Sequence, residues 1–434
     1  MATPMKADPG GPLTGEIQPP GDKSISHRAL ILGGLAQGET RITNLLEADD
    51  VLRTAAAVRA FGAQVERDGA AYVVTGAPWR SPEHTVYCGN SGTGVRLLMG
   101  AAAGQGVMAS FDGDASLRSR PMDRILDPLG EMGIQGEAEG GKLPVSLVAG
   151  TAHGITYRLP KPSAQIKTAV LLAGLGASGE TVVEEPILCR DHTERMLPAF
   201  GADLRVEPAE EGRVIRLQGR AQLKAIDIDV PGDPSSSAFP IVAAAILEGS
   251  DVTLRGVLTN PTRIGFLDAL KDMNADLTIL EERTEGGESV ADIRVRASAL
   301  KAVTIAADRA PALIDEYPIL AVAAAFAQGT SRFEGLEELR VKESDRPAAT
   351  AALLSANGVT CRTGEDWLEV DGGTPQGGGT VATHHDHRIA MSALVLGLGA
   401  REAVMIDDSE MIATSFPNFV PLMTGLGANI AELG

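Results

Sequence analysis

Aromatic side chains make up only 3% of this 434-residue chain: nine Phe, four Tyr and two Trp. So few rings leave little with which to stack bases. Basic residues are also short, with 38 Lys and Arg against 57 Asp and Glu, a formal net charge of −19. A chain this acidic is a poor non-specific binder of nucleic acid or of an anionic membrane, so neither partner is expected. Cys88, Cys189 and Cys361 are the only cysteines, and none forms a CxxC pair. They are too few and too scattered for a disulfide framework or a thiolate metal site. The longest apolar runs, such as Ile319 to Ala327, fall far below the ~20 residues of a membrane span. Behind Met1 to Lys6 there is no apolar stretch of the kind a secretory signal requires. The expectation is a soluble protein of a reducing compartment, the cytoplasm.

Several nucleotide and hydrolase signatures are missing as well. The chain has no Walker loop, no GxGxxG opening a dinucleotide-binding unit, no HExxH and no Gly-x-Ser-x-Gly elbow. Kinase, dehydrogenase and serine-hydrolase readings lack their key loops. His384, His385 and His387 cluster around Asp386 without a recognised ligand spacing, so neither a metal nor a cofactor is expected.

What the chain does have is glycine, 50 residues of it, and a 44% hydrophobic fraction. Its core must be built from small and aliphatic side chains packed closely. The length suits two or three domains. A short helix ending recurs six times: Phe61-Gly62-Ala63, Met132-Gly133-Ile134, Phe200-Gly201-Ala202, Met273-Asn274-Ala275, Asn357-Gly358-Val359 and Leu426-Gly427-Ala428. Gly and Asn tolerate the left-handed conformation that ends a helix. The spacings are 71, 68, 73, 84 and 69, which indicates a repeated α/β unit rather than a simple solenoid. A second series of small-residue apolar stretches precedes the first: Ala29–Ala36, Leu97–Ala103, Ala169–Gly176, Phe239–Leu247, Tyr317–Ala327 and Ile389–Gly399. Each is apolar nearly all round, the mark of a buried helix. The unit reads strand, buried helix, strand, exposed helix, strand, strand. Two similar phrases, Pro20-Gly21-Asp22-Lys23-Ser24 and Pro231-Gly232-Asp233-Pro234-Ser235, read as chain crossings between two lobes of three units. The first lobe would span 22–231, and the second would combine 1–21 with 232–434.

The residues leading into the buried helices carry the chemistry. They include Lys23-Ser24-Ile25-Ser26-His27-Arg28, Asn90-Ser91-Gly92-Thr93, Ser163-Ala164-Gln165-Ile166-Lys167, Asp315-Glu316 and Asp386-His387-Arg388. Ser, Asn and Asp there are ordinary helix caps. Lys23, Arg28, Lys167 and Arg388 are not, because the helix dipole disfavours a cation at that end. An anion lying between these cations and the backbone N–H groups would resolve the conflict. Further cations lie in Arg118-Ser119-Arg120, Cys189-Arg190-Asp191-His192 and Arg340-Val341-Lys342-Glu343-Ser344-Asp345-Arg346. Together they predict a cleft for a small, multiply charged anion, since Arg suits carboxylate and phosphate. Asp315 and Glu343 stand among them as candidate proton-transfer groups. Asp315 would serve equally well as a helix cap.

In order along the chain, Gly21-Asp22-Lys23-Ser24-Ile25-Ser26-His27-Arg28, Gly89-Asn90-Ser91-Gly92-Thr93, Arg120-Pro121-Met122, Ser163-Ala164-Gln165-Ile166-Lys167, the Arg340–Arg346 phrase and Asp386-His387-Arg388 resemble the 5-enolpyruvylshikimate-3-phosphate synthases. Arg190-Asp191-His192-Thr193-Glu194 is similar to the bacterial class II form. The resemblance implies an enolpyruvyl transferase-like fold, a two-lobed inside-out α/β barrel of six βαβαββ repeats, three per lobe. It implies transfer of the enolpyruvyl group of phosphoenolpyruvate to the 5-hydroxyl of shikimate 3-phosphate by addition and elimination. Carried over by motif, Lys23, Ser24, Arg28, Ser163, Ala164, Gln165, Arg190, Asp315 and Lys342 would hold shikimate 3-phosphate. Phosphoenolpyruvate would meet Lys23, Gly92, Arg120, Gln165, Arg346 and Arg388. Asp315 would be the base for the 5-hydroxyl, and Glu343 with Lys23 would protonate the enol methylene.

The chain departs from the family pattern in places. Ala413-Thr414-Ser415-Phe416-Pro417 lacks the Lys of class I, and Arg190 stands where many members have Tyr. Gly92 is where some class II members carry Ala and exclude the herbicide glyphosate, so sensitivity is expected here. The nearest alternative is the sister transferase acting on UDP-N-acetylglucosamine, but the Cys it carries near the Arg120 phrase is missing from Asp112–Arg120. The related RNA 3′-phosphate cyclases are disfavoured by the acidic charge. Nothing in the chain demands more than a monomer.

Overall fold

In the computed structural model, which describes residues 2–433, each of the six small-residue stretches lies in a helix. These inner helices are α1 (Lys23–Leu35), α2 (Gly92–Gln105), α3 (Ala164–Gly176), α4 (Pro234–Ile246), α5 (Tyr317–Ala325) and α6 (His387–Gly399). Five of them begin at a side-chain cap. Asp22 accepts from the Ile25 N–H at 2.8 Å, Ser91 from Gly94 at 3.1 Å, Ser163 from Ile166 at 3.4 Å, Asp233 from Ser235 at 3.0 Å and Asp386 from Arg388 at 2.9 Å. Each cap satisfies one of the N–H groups that a helix start leaves unpaired. The sixth, α5, is entered through a 3-10 turn, Ile314–Glu316, and has no side-chain cap.

Each inner helix packs on a four-stranded sheet, and the six sheets share one plan. A short strand runs parallel to the strand that follows the inner helix, as Val86–Tyr87 does to Ala109–Asp112 and Thr156–Arg158 does to Glu180–Glu185. Two further strands complete each sheet, such as Val145–Leu147 and Gly136–Ala138. The helix joining these further strands to the parallel pair is the more exposed one, for example Asp49–Ala60 or Arg346–Ala356. At its end the chain turns through a residue of positive φ: Gly62, Gly133, Gly201, Asn274, Gly358 and Gly427. The residue before each turn, Phe61, Met132, Phe200, Met273, Asn357 or Leu426, is buried. The repeated phrase is thus a turn requirement followed by a core requirement.

The chain divides into two compact units, one of them Gly21–Val230 with Glu285–Glu288 and the other the remainder. Each is closed by a strand from a distant part of the chain. In the first, Ile228–Asp229 pairs parallel with Glu39–Thr43. The strand just ahead of α1, Thr14–Ile17, belongs instead to the second unit, where it runs parallel to Asp251–Leu258. Met5–Ala7 inserts between Val404–Ile406 and Ile430–Glu432, antiparallel to both. The repeated Pro-Gly-Asp phrases point to chain crossings, but local periodicity does not name the partner strands, because the strand pattern is the same whichever strand lies alongside.

Small residues set how closely the inner helices approach. A Cβ on Gly100 of α2 would lie 2.4 Å from the Ala169 carbonyl oxygen of α3, and one on Gly176 would lie 1.7 Å from that of Gly104. Backbone meets backbone here, leaving no side chain that could yield. Elsewhere in a helix, Gly→Ala would gain about 1 kcal/mol of propensity. At Gly100 the clash should dominate, so Gly100→Ala should destabilise the protein by about 1–3 kcal/mol. Thermal unfolding measures this, and a raised midpoint would contradict the packing described.

Candidate functional site

In the second unit the starts of three helices converge on one carboxylate. Asp315 lies in the 3-10 turn ahead of α5. Its side chain is 3.2 Å from Arg346 Nη1, 3.6 Å from Lys342 Nζ and 3.9 Å from Arg388 Nη2, and its carbonyl accepts from Arg388 Nη1 at 2.9 Å. Asp315 therefore faces cations and does not cap α5. Glu343 pairs with Arg346 Nη2 at 2.6 Å. Asp386 accepts from Arg346 Nε at 2.8 Å, from the Ser344 hydroxyl at 2.9 Å and from the Arg388 N–H. One buried carboxylate thus orients one arginine and starts the helix that bears another. Burial alone would lower the affinity of the Arg346 guanidinium for its proton. Asp386, Glu343 and Asp315 outweigh that and hold its pKa above the ordinary value. Burial would raise the Asp386 pKa, but Arg346 and His387 pull it below the usual carboxylate range. Glu316 holds Arg388 from the other side at 3.3 Å and accepts from the Ser235 hydroxyl at 2.5 Å.

The first unit gathers a second set at the starts of α1, α2 and α3. Lys23 forms an ion pair with the buried Asp50. Arg28 is buried, donating from Nε to Thr193 at 2.8 Å, from Nη2 to Thr168 at 2.7 Å and from Nη1 to the Ser24 carbonyl at 2.9 Å. Burial pulls its pKa down to about 10, opposed by Glu194 and Asp22 and assisted by the nearby charge of Arg190. His27 bonds Thr54 through Nδ1 at 2.8 Å. Burial, then the charges of Lys23 and Arg28, push its pKa well below the ordinary histidine value. Gly92 opens α2 directly beneath Arg120, so that a Cβ there would lie 2.9 Å from Arg120 Nη1. Arg120 donates to Asn90 Oδ1 at 2.5 Å. Gln165 ties α3 to α2, accepting from Arg96 at 2.5 Å and donating to Thr93 at 3.0 Å. Ser163 and Ala164 form the α3 start, and Arg190 lies in the partly exposed segment ahead of the helix His192–Ala199.

Lys167, counted from its position among the cations at a helix start, is a correction. It is fully buried, 2.6 Å from Glu185 and 2.7 Å from Glu194, because its place one turn into α3 turns it toward the core. Four other participants were not singled out, three of them for want of a distinguishing signal. Asp50 sits where a first-turn acid is unremarkable, and Glu316 and Asp386 read as flanking residues. Arg96 lies inside an apolar helix, where a cation could have been flagged.

The family described as EPSP synthase (3-phosphoshikimate 1-carboxyvinyltransferase) matches residues 7–423 of this chain. Among curated relatives, the 3-phosphoshikimate 1-carboxyvinyltransferase of Methylorubrum extorquens is 58% identical, covering 99% of this chain and 97% of its own. That of Brucella canis is 56% identical, with 97% and 96% covered. Among solved structures, an EPSP synthase of Acinetobacter baumannii superposes with a TM-score of 0.89 at 43% identity, covering all of both chains. The enolpyruvyl transferase NikO of Streptomyces tendae shares the fold, with a TM-score of 0.79 at 20% identity and 100% and 99% of the two chains covered.

His27 makes a stability signature. Its folded pKa is depressed, so below about pH 6.5 the unfolded chain takes up a proton that folded His27 refuses. Stability is therefore lost as pH falls from about 6.5 toward the folded pKa. His27→Asn, which keeps a polar partner for Thr54, should flatten that part of the curve. Denaturant unfolding of wild type and variant across this range measures it, and parallel curves would rule out the assignment.

Proposed function

We propose a division of labour among these residues from one premise: the chain belongs to the EPSP synthase (3-phosphoshikimate 1-carboxyvinyltransferase) family. It is an enzyme of the shikimate pathway that transfers the enolpyruvyl group of phosphoenolpyruvate to the 5-hydroxyl of shikimate 3-phosphate, releasing phosphate. The names of its relatives favour that acceptor over UDP-N-acetylglucosamine. No helix among the described residues is long and apolar enough to cross a membrane. We place the enzyme in the cytoplasm as a monomer.

In this proposal shikimate 3-phosphate is held by Lys23, Ser24, Arg28, Ser163, Ala164, Gln165, Arg190, Asp315 and Lys342. Phosphoenolpyruvate meets Lys23, Gly92, Arg120, Gln165, Arg346 and Arg388. Asp315 takes the proton from the 5-hydroxyl as its oxygen attacks C2 of phosphoenolpyruvate. Glu343 and Lys23 deliver a proton to the C3 methylene, which becomes a methyl group in the tetrahedral intermediate. Elimination reverses the C3 transfer, re-forming the double bond as phosphate leaves with its electron pair. The observation that carries this reading is the facing of Asp315 by Lys342, Arg346 and Arg388. The three cations fix this carboxylate where it can accept the 5-hydroxyl proton.

Phosphate release with phosphoenolpyruvate plus shikimate 3-phosphate, run beside UDP-N-acetylglucosamine, tests the assignment. Turnover is expected with the shikimate acceptor only, and Asp315→Ala should lower kcat by about 10²–10⁴, the range of a lost general base. Turnover that survives the substitution would return Asp315 to a structural role. Gly92 has a consequence of its own. Glyphosate should compete with phosphoenolpyruvate in wild type. Gly92→Ala, by displacing Arg120, should raise both its inhibition constant and the KM for phosphoenolpyruvate. Equal inhibition of the two proteins would show that Gly92 does not shape this part of the site.

A further inference from the structure

The segment that carries Arg190 has no hydrogen-bond ladder of its own. Residues 186–191 connect the strand Glu180–Glu185 to the helix His192–Ala199, and Ile187 and Leu188 stand exposed within it. Four charges beneath it supply the order instead. Lys167 lies between Glu185 and Glu194, at 2.6 and 2.7 Å, and Arg213 forms ion pairs with the same two carboxylates. From this cage, bonds reach the backbone on both sides of Arg190. Glu185 Oε1 accepts the Cys189 N–H at 3.0 Å and the Cys189 thiol at 2.8 Å. Arg213 donates to the Cys189 carbonyl at 3.2 Å and pairs with Asp191 at 3.5 Å. Asp191 is held again by Arg195 at 2.9 Å. Both peptide planes of Cys189, and the residue after Arg190, are thereby fixed.

Stability alone does not call for such a cage. The charges balance, but buried ion pairs of this kind commonly do no better than well-packed apolar residues of the same size. What the cage does supply is geometry and field. Burial, with Glu185 beside it, pushes the Cys189 pKa up to about 12, so the thiol stays protonated and able to donate. Glu194 also faces Arg28, whose charge it supports against burial and against the like charge of Arg190. Within one cage, therefore, Glu185 and Arg213 hold the backbone on both sides of Arg190, and Glu194 counters the repulsion between the two arginines.

We propose that Lys167, Glu185, Arg213 and Glu194 form a positioning device for Arg190. It fixes Arg190 and Arg28 as a pair that grips the phosphate of shikimate 3-phosphate, so that affinity for this substrate depends on buried charges that never touch it. The inference rests on the reading above that both arginines meet that substrate.

Steady-state kinetics of charge-balanced variants test it. Lys167→Met with Glu185→Leu removes the acceptor for Cys189 without leaving a lone buried ammonium. It should raise the KM for shikimate 3-phosphate by about tenfold, the scale of one lost charge-assisted hydrogen bond. The KM for phosphoenolpyruvate and kcat should stay within about twofold on the same scale. Lys167→Met with Glu185→Gln, which restores an accepting oxygen, should recover most of the loss. Should the first variant fail to fold, Arg213→Lys keeps the charge on a partly exposed side chain while losing the fork that reaches the Cys189 carbonyl. It should shift the same KM in the same direction. In an Arg190→Ala background none of these changes should raise that KM further. A full-sized effect in that background, or equal rises in both KM values, would overturn the proposal. If Arg190→Ala alone left the KM for shikimate 3-phosphate unchanged, the underlying reading of Arg190 would fall, and the inference with it.

Discussion

Like charges crowd the starts of the inner helices, where the helix dipole already opposes them, and the structure depends on how that repulsion is countered. For three of the cations the remedy is an acidic partner within the same unit: Asp50 for Lys23, Glu316 for Arg388, and Asp386, Glu343 and Asp315 for Arg346. Arg28 instead has two threonine hydroxyls and a carbonyl, with Glu194 and Asp22 countering the burial that draws its pKa down. These arrangements keep dense positive charge in place inside a chain whose overall charge is −19. The acidic excess is thus partly an internal counterweight. In the proposed reaction an incoming dianion would meet guanidinium and ammonium groups already oriented, so little reorganisation would remain for the moment of reaction.

The small-residue core serves the same end. Gly100 and Gly176 let the backbones of α2 and α3 approach as no larger residue would allow. That approach sets Gln165 against Thr93 and Arg96 at the neighbouring helix starts. Aromatic residues, scarce as they are, are used at wedge points: Phe61 stacks on Trp79 at 4.3 Å, and Phe416 meets Phe419 edge-on at 5.4 Å.

Much of this was legible in the chain. The six Gly or Asn turns showed the repeat because only a left-handed residue can end those helices, and all six adopt positive φ. The helix leaders pointed to an anion site because their cations contradict the dipole. What stayed hidden was partnership over distance. Nothing near Lys167 announces Glu185 and Glu194, so a buried counter-ion pair looked like an anion contact. Nothing near Asp315 tells whether it caps its helix or faces cations until Arg346 and Arg388 are brought beside it from elsewhere in the chain. The strand that receives Thr14–Ile17 was hidden for a similar reason, since its pattern is the same beside any partner.

Pairing over distance has a consequence for how the protein is made. The strand Met5–Ala7 is synthesised ahead of the first unit, and its partner Ile430–Glu432 only after it. The first unit lies wholly between them, and its own closing strand, Ile228–Asp229, is synthesised well before the second unit is complete. Most of the first unit, all but Glu285–Glu288, can therefore begin to fold as an insertion while Met5–Ala7 waits with an unpaired strand edge. Such an edge is open to wrong pairing until Val404–Ile406 and Ile430–Glu432 are available to it. Met5–Ala7 is only three residues long, which limits how much of it a wrong partner can hold.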